Sequence, residues 1–272
     1  MLYLFRFMMI ASLLFACSAK PAGAMPSFTV EILPWDQVKE IIPKQSYFTI
    51  IDVETGLSFK VQRRAGSKHA DVQPVTKKDT KIMKSIYGGK WSWDRRAILV
   101  FVHDQLISAS MNGMPHGAGA LQNNFPGHFC VHFYGSTTHK TPTPDLAHKI
   151  MILKAGGKLD GFLYKLDPYE LISVMEIAVN QHDKKLLSQV MSGSNGSLKE
   201  TLKRVKHMDV TKRSILPVED LPALVGMKLK VRVKWIRSNQ SQEENNVQFI
   251  IRKDAIEDQW KIDGHAFLEE MD

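Results

Sequence analysis

The chain has 272 residues, 44% of them hydrophobic, with 36 basic and 28 acidic side chains and a formal net charge of +8. This length suits one large or two ordinary domains. The basic surplus favours anionic envelope polymers or lipid head groups as partners, and nucleic acid is not expected because no basic run is interleaved with stacking aromatic residues.

The first 24 residues have the order of a secretory signal peptide. A short segment containing Arg6 precedes an apolar run over residues 8–16, and the small residues Ala22-Gly23-Ala24 follow. The run is too short to span a bilayer. We therefore predict a secreted, envelope-associated protein with signal peptide 1–24, whose removal lowers the net charge to +6. A lipid anchor on Cys17, which lies in a loose lipobox, and an uncleaved anchor are the alternatives.

Residues 45–157 are predicted to form a β-rich first domain. It contains two hairpins, a helix that begins at a capping box on Thr76, and a helix with Thr143 as cap that ends at Gly156-Gly157. The hairpin strands are expected at residues 47–53, 57–62, 97–102 and 106–111, and loops at 64–76 and 112–127. The double glycine marks the predicted domain boundary.

Residues 165–272 are predicted to form a smaller α+β domain. Helices are expected from Asp167 and Asp183, a loop at 192–197, and strands at 227–236, 247–252 and 259–263. In 227–236, apolar residues alternate with Lys and Arg, which indicates one buried face and one that is solvated or binds an acidic polymer. Two helical segments followed by a curved antiparallel sheet resemble the NTF2-like cone, an accessory or binding module.

Cys130 is the one cysteine beyond the predicted signal peptide, and histidines flank it. If residues 128–134 (HFCVHFY) are extended, alternation places His128, Cys130 and His132 on one face and the apolar residues on the other. A neighbouring imidazolium would then lower the pKa of the thiol and activate it. If the segment is helical, its two histidines pair at i, i+4, which favours a metal site. A small buried apolar role is the remaining alternative.

The order His116-Gly117, a loop, then His128-x-Cys130-hydrophobic resembles the L,D-transpeptidases (YkuD-like), cysteine enzymes of bacterial cell walls. The resemblance covers residues 45–157. It implies His116 as base, Cys130 as nucleophile and His128 beside the oxyanion site. It also implies a thioester with the acyl group of a peptidoglycan stem peptide, released by an amine as a cross-link or by water as a cut. No cofactor is expected.

The sequence departs from the family pattern next to the cysteine. Gly127, Phe129 and His132 stand where the family has Ser or Thr, Gly, and Arg or Asn. Phe129 matters most, because the family forms part of its oxyanion hole there. Two alternatives therefore stay open: a non-catalytic protein that binds cell wall, and a zinc hydrolase. The zinc ligands would come from His69, Asp71, His116, His128, His132 and His139.

Five further residues are predicted to contact the substrate or support the site: Gly117, Asn112, His132, Ser136 and His139. Gly117 permits close approach of backbone or substrate, and the Asn112 amide can hydrogen-bond substrate amides. Ser136 and His139 follow the cysteine strand and are expected to orient its histidines.

Overall fold

The computed structural model describes residues 29–138, 143–193, 195–213, 221 and 223–270, and it has a mixed α+β architecture. The strands of its first sheet are β1 Val30–Glu31, β2 Tyr47–Asp52, β3 Ser58–Ala65, β4 Ala70–Pro74, β5 Arg96–Val102, β6 Gln105–Met111 and β7 Phe129–His132. Their order is β1-β6-β5-β2-β3-β4-β7, and an additional β6–β7 pairing closes six of them into a barrel-like sheet. The α+β prediction is confirmed. The predicted signal peptide 1–24, with Cys17, lies outside the described residues.

The helices pack around the two sheets of the chain. They are α1 Trp35–Ile41, α2 Lys77–Ile86, α3 Leu146–Ala155, α4 Leu159–Leu163, α5 Pro168–Asn180, α6 Lys184–Val190, α7 Asn195–Arg204 and α8 Gly264–Glu269. The capping boxes at Thr76 and Asp167 are confirmed. The predicted cap Thr143 is wrong, since Asp145 accepts the hydrogen bond from the His148 amide and α3 begins one residue later. Among the described residues, no helix has both the length and the apolarity needed to cross a membrane.

The second sheet has five strands, and its central strand shows the predicted alternation. The strands are β8 Met191–Ser192, β9 Val205–Arg213, β10 Gly226–Arg237, β11 Gln242–Arg252 and β12 Lys261–Asp263, in the order β8-β12-β11-β10-β9. Along β10 the apolar side chains are buried and the Lys and Arg side chains between them are exposed. The predicted loop at 192–197 is wrong, because β8 ends and α7 begins within it.

Buried apolar side chains form two clusters. The first fills the barrel-like sheet, and the second lies between the second sheet and its helices, with Trp235, Phe249 and Phe267 among its largest members. Helix α3 contributes Ile150 and Met151 to the second cluster, although its His148 hydrogen-bonds to Ser110 on β6. Because α3 contacts both regions, the division into domains 45–157 and 165–272 stays a prediction.

Strand β4 lies in a segment predicted to be a loop, so that prediction is wrong. All five of its residues are buried, including Asp71 and Gln73, because both faces of the strand are covered. It pairs with β7, which places Asp71 directly opposite Cys130. The extended conformation predicted around Cys130 is confirmed, and the helical alternative is wrong.

Candidate active site

The outer face of the barrel-like sheet is polar where β4, β7 and β6 meet. Asp71 stands opposite Cys130, and Ser110 stands opposite His132. Side chains opposite one another on paired strands lie on the same face. The residues between them, such as Val72 and Val131, belong to the apolar core on the inner face. One face of three strands therefore presents a concentration of chemically active side chains.

Cys130 and His116 form a hydrogen-bonded pair. The Cys130 Sγ lies 3.2 Å from His116 Nε2, and His116 Nδ1 lies 2.9 Å from the carbonyl oxygen of Met114. Because a carbonyl only accepts, Nδ1 carries the proton of the neutral ring and Nε2 offers its lone pair to the thiol. The ring is thus held in the tautomer that a general base for the sulfur requires.

The loop that carries His116 is fixed to the start of β7 by a two-way backbone bridge. The amide of His116 donates to the carbonyl of His128, and the amide of His128 donates back, both at 2.9 Å. Gly127 has φ +122°, and a Cβ there would collide with the carbonyl oxygen of His116. Gly117 has φ +60°, and a Cβ there would meet the His128 ring. Close packing therefore explains both Gly117 and Gly127.

The surroundings of Cys130 oppose ionisation of its thiol. The residue is 4% exposed, and Asp71 Oδ1 lies 3.8 Å from the sulfur. Burial first, and then the negative charge of Asp71, raise the pKa of the Cys130 thiol, while a hydrogen bond from the Asn112 side chain acts in the opposite direction. This differs from the lowered pKa predicted from the sequence, because the prediction included neither the burial of the thiol nor, next in size, the negative charge of Asp71. The geometry fits a protonated thiol that passes its proton to His116 during attack.

The sulfur lies at the wall of a cavity of about 570 Å³. The lining residues are His69, Trp93, Arg95, Asn112, His116, Cys130, His132, Thr138, Asp145 and His148. The half-exposed indole of Trp93 lies near the base, with its ring centroid 5.1 Å from that of His116. A cavity of this size is typical of small-molecule and peptide-end binding sites.

Arg95 is a cavity residue that the sequence analysis missed. Its Nη2 lies 3.1 Å from Asp145 Oδ2, and its Nε is buried without a hydrogen-bond partner among the described residues. Asp145 and His148, also missed, come from the start of α3, fifty residues further along the chain. The two arginines Arg95 and Arg96 directly precede a predicted strand, and this pattern could have indicated a charged group at the end of that strand.

The structure brings most of the predicted site residues together. Asn112 and His132 line the cavity with Cys130 and His116. His128 lies beside them, with Nδ1 3.1 Å from the Ala118 carbonyl oxygen and Nε2 3.8 Å from Asp71 Oδ1. Gly117 does not line the cavity, and its missing side chain leaves room for the His128 ring.

The structure places Ser136 away from the cavity, and the Phe129 side chain points away from it as well. The Ser136 hydroxyl accepts a hydrogen bond from the Phe133 amide and lines a different pocket. His139 lies outside the described residues. The Phe129 ring is fully buried in the barrel core, packed against Phe125 at a centroid distance of 5.7 Å. It therefore does not obstruct the Cys130 sulfur.

Comparison of the chain with models of protein families, with characterised proteins and with solved structures finds no significant match. The class of protein is therefore given by its own geometry. It is an α+β protein whose barrel-like sheet carries a buried cysteine, hydrogen-bonded to a half-buried histidine, at the wall of a cavity. The resemblance to L,D-transpeptidases stays a prediction from residues 116–130.

Proposed function

We propose that the protein is an exported cysteine acyl-transferase that acts on peptidoglycan stem peptides through a thioester on Cys130. The observation that carries the proposal is the 3.2 Å contact between Cys130 Sγ and His116 Nε2 at the cavity wall. A nucleophile in contact with a base, with the base oriented by a third group, is the arrangement that covalent catalysis uses. Here the third group is the Met114 carbonyl.

The proposed reaction has two transfers. In the first, Sγ bonds to the acyl carbon of an amide while His116 Nε2 takes the thiol proton, and the same proton then passes to the departing amine as the carbon–nitrogen bond breaks. In the second, an amine or water attacks the thioester and gives its proton to His116, and the thiol is restored. An amine acceptor produces a cross-link, and water produces a cut stem peptide.

The choice of peptidoglycan rests on sequence and charge. The segment from His116 to Cys130 resembles the L,D-transpeptidase motif, and the chain carries a net charge of +8 that favours an anionic polymer. The Arg95 guanidinium in the cavity suits a substrate carboxylate. The same proposal assigns the barrel-like region to an L,D-transpeptidase-like domain and residues 165–272 to an NTF2-like accessory domain. We also propose that the protein is secreted by means of signal peptide 1–24, or is held at the envelope by a lipid anchor on Cys17.

The proposal is tested by covalent labelling of Cys130. We expect a carbapenem, whose strained amide mimics the acyl donor, to add its full mass to the protein at neutral pH. The adduct should map to Cys130 and be absent from Cys130→Ala. Intact-protein mass spectrometry over time measures the rate, and circular dichroism checks that the variant is folded.

The alternatives give different results in the same samples. A protein that is not acylated by the carbapenem, but sediments with purified cell wall, would instead be a wall-binding module. Acylation that persists in Cys130→Ala would remove Cys130 from the mechanism. Turnover is followed with purified stem peptides as loss of the terminal residue. Loss without an amine acceptor indicates cutting, and loss that yields a joined product when an amine acceptor is added indicates cross-linking.

Arg95 provides a prediction about substrate charge. We expect Arg95→Gln to lower the ratio of iodoacetate to iodoacetamide alkylation rates at Cys130 by roughly 3- to 10-fold. The two reagents differ mainly in charge, and an ion pair at about 4 Å in water is worth about 1 kcal/mol, or about fivefold in rate. The ratio should fall because Arg95 lies on the cavity wall and has a buried Nε without a hydrogen-bond partner among the described residues, so it can attract the negatively charged reagent.

A matched variant separates a local effect from overall charge. Lys60→Gln removes one positive charge from the exposed face of β3 and should leave the ratio unchanged. Asp145→Asn should raise it, because the carboxylate that offsets Arg95 is removed. Equal ratios in all four proteins would show that Arg95 does not attract anions to the sulfur.

A further inference from the structure

A second group of possible ligand atoms meets at Cys130. One ligand atom each from His69, Cys130 and His132 lies within 4.8 Å of the other two, and all three residues are buried. None of these histidines is the His116 of the acyl-transfer pair. The cluster therefore raises a separate question of what occupies the space between them.

His132 is a buried imidazole with a nitrogen to spare. It is 2% exposed, and its Nδ1 has no hydrogen-bond partner among the described residues. Its ring is held in a stack, 4.5 Å from the His69 ring and 3.7 Å from the His148 ring by centroid. A buried imidazole nitrogen without a hydrogen-bond partner is available to a metal ion.

His69 is oriented in the way that metal-binding histidines are. Its Nδ1 lies 2.8 Å from the Thr137 carbonyl oxygen, so this nitrogen donates and Nε2 is turned to the cluster. Nε2 in turn lies 3.1 Å from Asp71 Oδ1, which is also an acceptor. A positive species between Nε2 and the carboxylate, either a proton or a metal ion, is required to stabilise that contact.

We propose that His69, Cys130 and His132, with Asp71 as the fourth ligand, bind a divalent transition-metal ion of the zinc type. Imidazole, thiolate and carboxylate are the ligands of four-coordinate zinc sites. Zinc bond lengths imply separations of about 3.4–3.6 Å between ligand atoms, so the ligand atoms of His69, Cys130 and His132 need to close by little more than about 1 Å. Asp71 Oδ1 lies 3.1 Å from His69 Nε2 and 3.8 Å from the sulfur. A thiolate and a carboxylate balance the two positive charges of the ion, which suits a buried site.

Metal binding and acyl transfer exclude one another at Cys130. Binding releases the thiol proton to solvent and places the sulfur lone pair on the metal, so the sulfur no longer attacks an acyl carbon. The blocking effect rests on the proposed function, whereas the metal site itself does not. The bound ion would keep Cys130 from reacting. Loss of the ion would leave a free thiol in hydrogen-bond contact with His116.

Cobalt(II) titration of the chelator-treated full chain tests the site directly. We expect a thiolate-to-cobalt charge-transfer absorption that zinc abolishes by competition. Cys130→Ser should lose this absorption, and His132→Gln should bind cobalt at least about 10–100-fold more weakly, the loss usual even for outer-shell partners. His116→Ala is the matched control, since it removes a cavity histidine outside the cluster and should keep the absorption.

The second readout is protection of the thiol. One equivalent of zinc should slow iodoacetamide alkylation of Cys130 in the natural chain and in His207→Ala, which removes an exposed histidine on β9, but not in His132→Gln. If His132→Gln does not fold, as judged by circular dichroism, His69→Asn replaces it. A missing charge-transfer absorption would overturn the metal site, and an absorption lost in His116→Ala instead would assign the ion to other ligands. Cobalt ligation, together with a chelator-treated protein that forms no carbapenem adduct, would leave the metal site and remove the acyl-transferase.

Discussion

Replacement of His116 by alanine is expected to slow acylation of Cys130 by a carbapenem about 10²–10⁴-fold at neutral pH, the usual contribution of a general base. The effect is large because the thiol cannot ionise easily without help. Burial and Asp71 raise its pKa, so the proton must leave during attack, and His116 Nε2 at 3.2 Å is the acceptor in contact with it. Stopped-flow or time-resolved mass spectrometry with excess reagent gives the rate.

Controls distinguish loss of the base from loss of structure. His207→Ala removes an exposed histidine on β9 and should acylate at the natural rate. Free imidazole should partly restore the rate of His116→Ala, because the vacated space lies at the cavity wall. A variant that acylates within about threefold of the natural chain, far below the effect of a general base, would keep Cys130 as nucleophile and exclude His116 as its base.

Local signals in the sequence were sufficient for most of the elements. The two capping boxes, the β10 alternation and the extended cysteine segment depend on neighbours within a few residues, so the chain itself displays them. Strand β4 was missed for the opposite reason. It is buried on both faces and carries Asp71 and Gln73, so it has neither alternation nor an apolar run. Its pairing with β7 across nearly sixty residues decides its structure.

The same strand explains how the loop before Cys130 is held. The Gln73 amide donates to the Gly127 carbonyl at 2.7 Å and accepts from the Ala120 amide at 2.9 Å. The Asn123 amide donates to the carbonyl of Pro74. A sequence reading that treats β4 as loop has no partner for these groups, and therefore cannot predict how His116 reaches the sulfur.

Only part of the site could be predicted from sequence. His116 and Cys130 are fourteen residues apart within one glycine-rich motif, so their pairing follows from a short loop. Arg95, Asp145 and His148 come from other elements and meet the motif only through sheet register and the packing of α3. The predicted direction of the Cys130 pKa shift is wrong for the same reason, since burial of the thiol, and next the Asp71 charge across a strand pair, both depend on tertiary packing.

Replacement of Asp71 by asparagine is expected to accelerate alkylation of Cys130 in chelator-treated protein. The Asp71 charge disfavours the thiolate, so its removal lowers the pKa of the thiol, although burial, the larger cause, remains. A neighbouring charge of opposite sign typically shifts a pKa by about 1–3, and we take the same size for the like charge of Asp71. At a pH below the pKa of the thiol, lowering that pKa by one raises the thiolate fraction about tenfold. A thiolate of lower pKa is also a weaker nucleophile, which reduces the logarithm of this gain in rate by a little under half. The net gain is about 3- to 50-fold.

The sign of this effect separates two roles of Asp71. The pH profile of iodoacetamide alkylation should move to lower pH in Asp71→Asn, because a thiol with a lowered pKa ionises earlier as pH rises. If Asp71 instead activates the sulfur, the same variant would be slower and its profile would move to higher pH. Asp79→Asn, which changes a carboxylate in the capping box of α2 away from the cavity, should leave the profile in place. A shift to lower pH in Asp71→Asn would show that Asp71 keeps the Cys130 thiol protonated in the resting protein. The same carboxylate, which lies beside His69 and the sulfur, is the proposed fourth ligand of the metal ion.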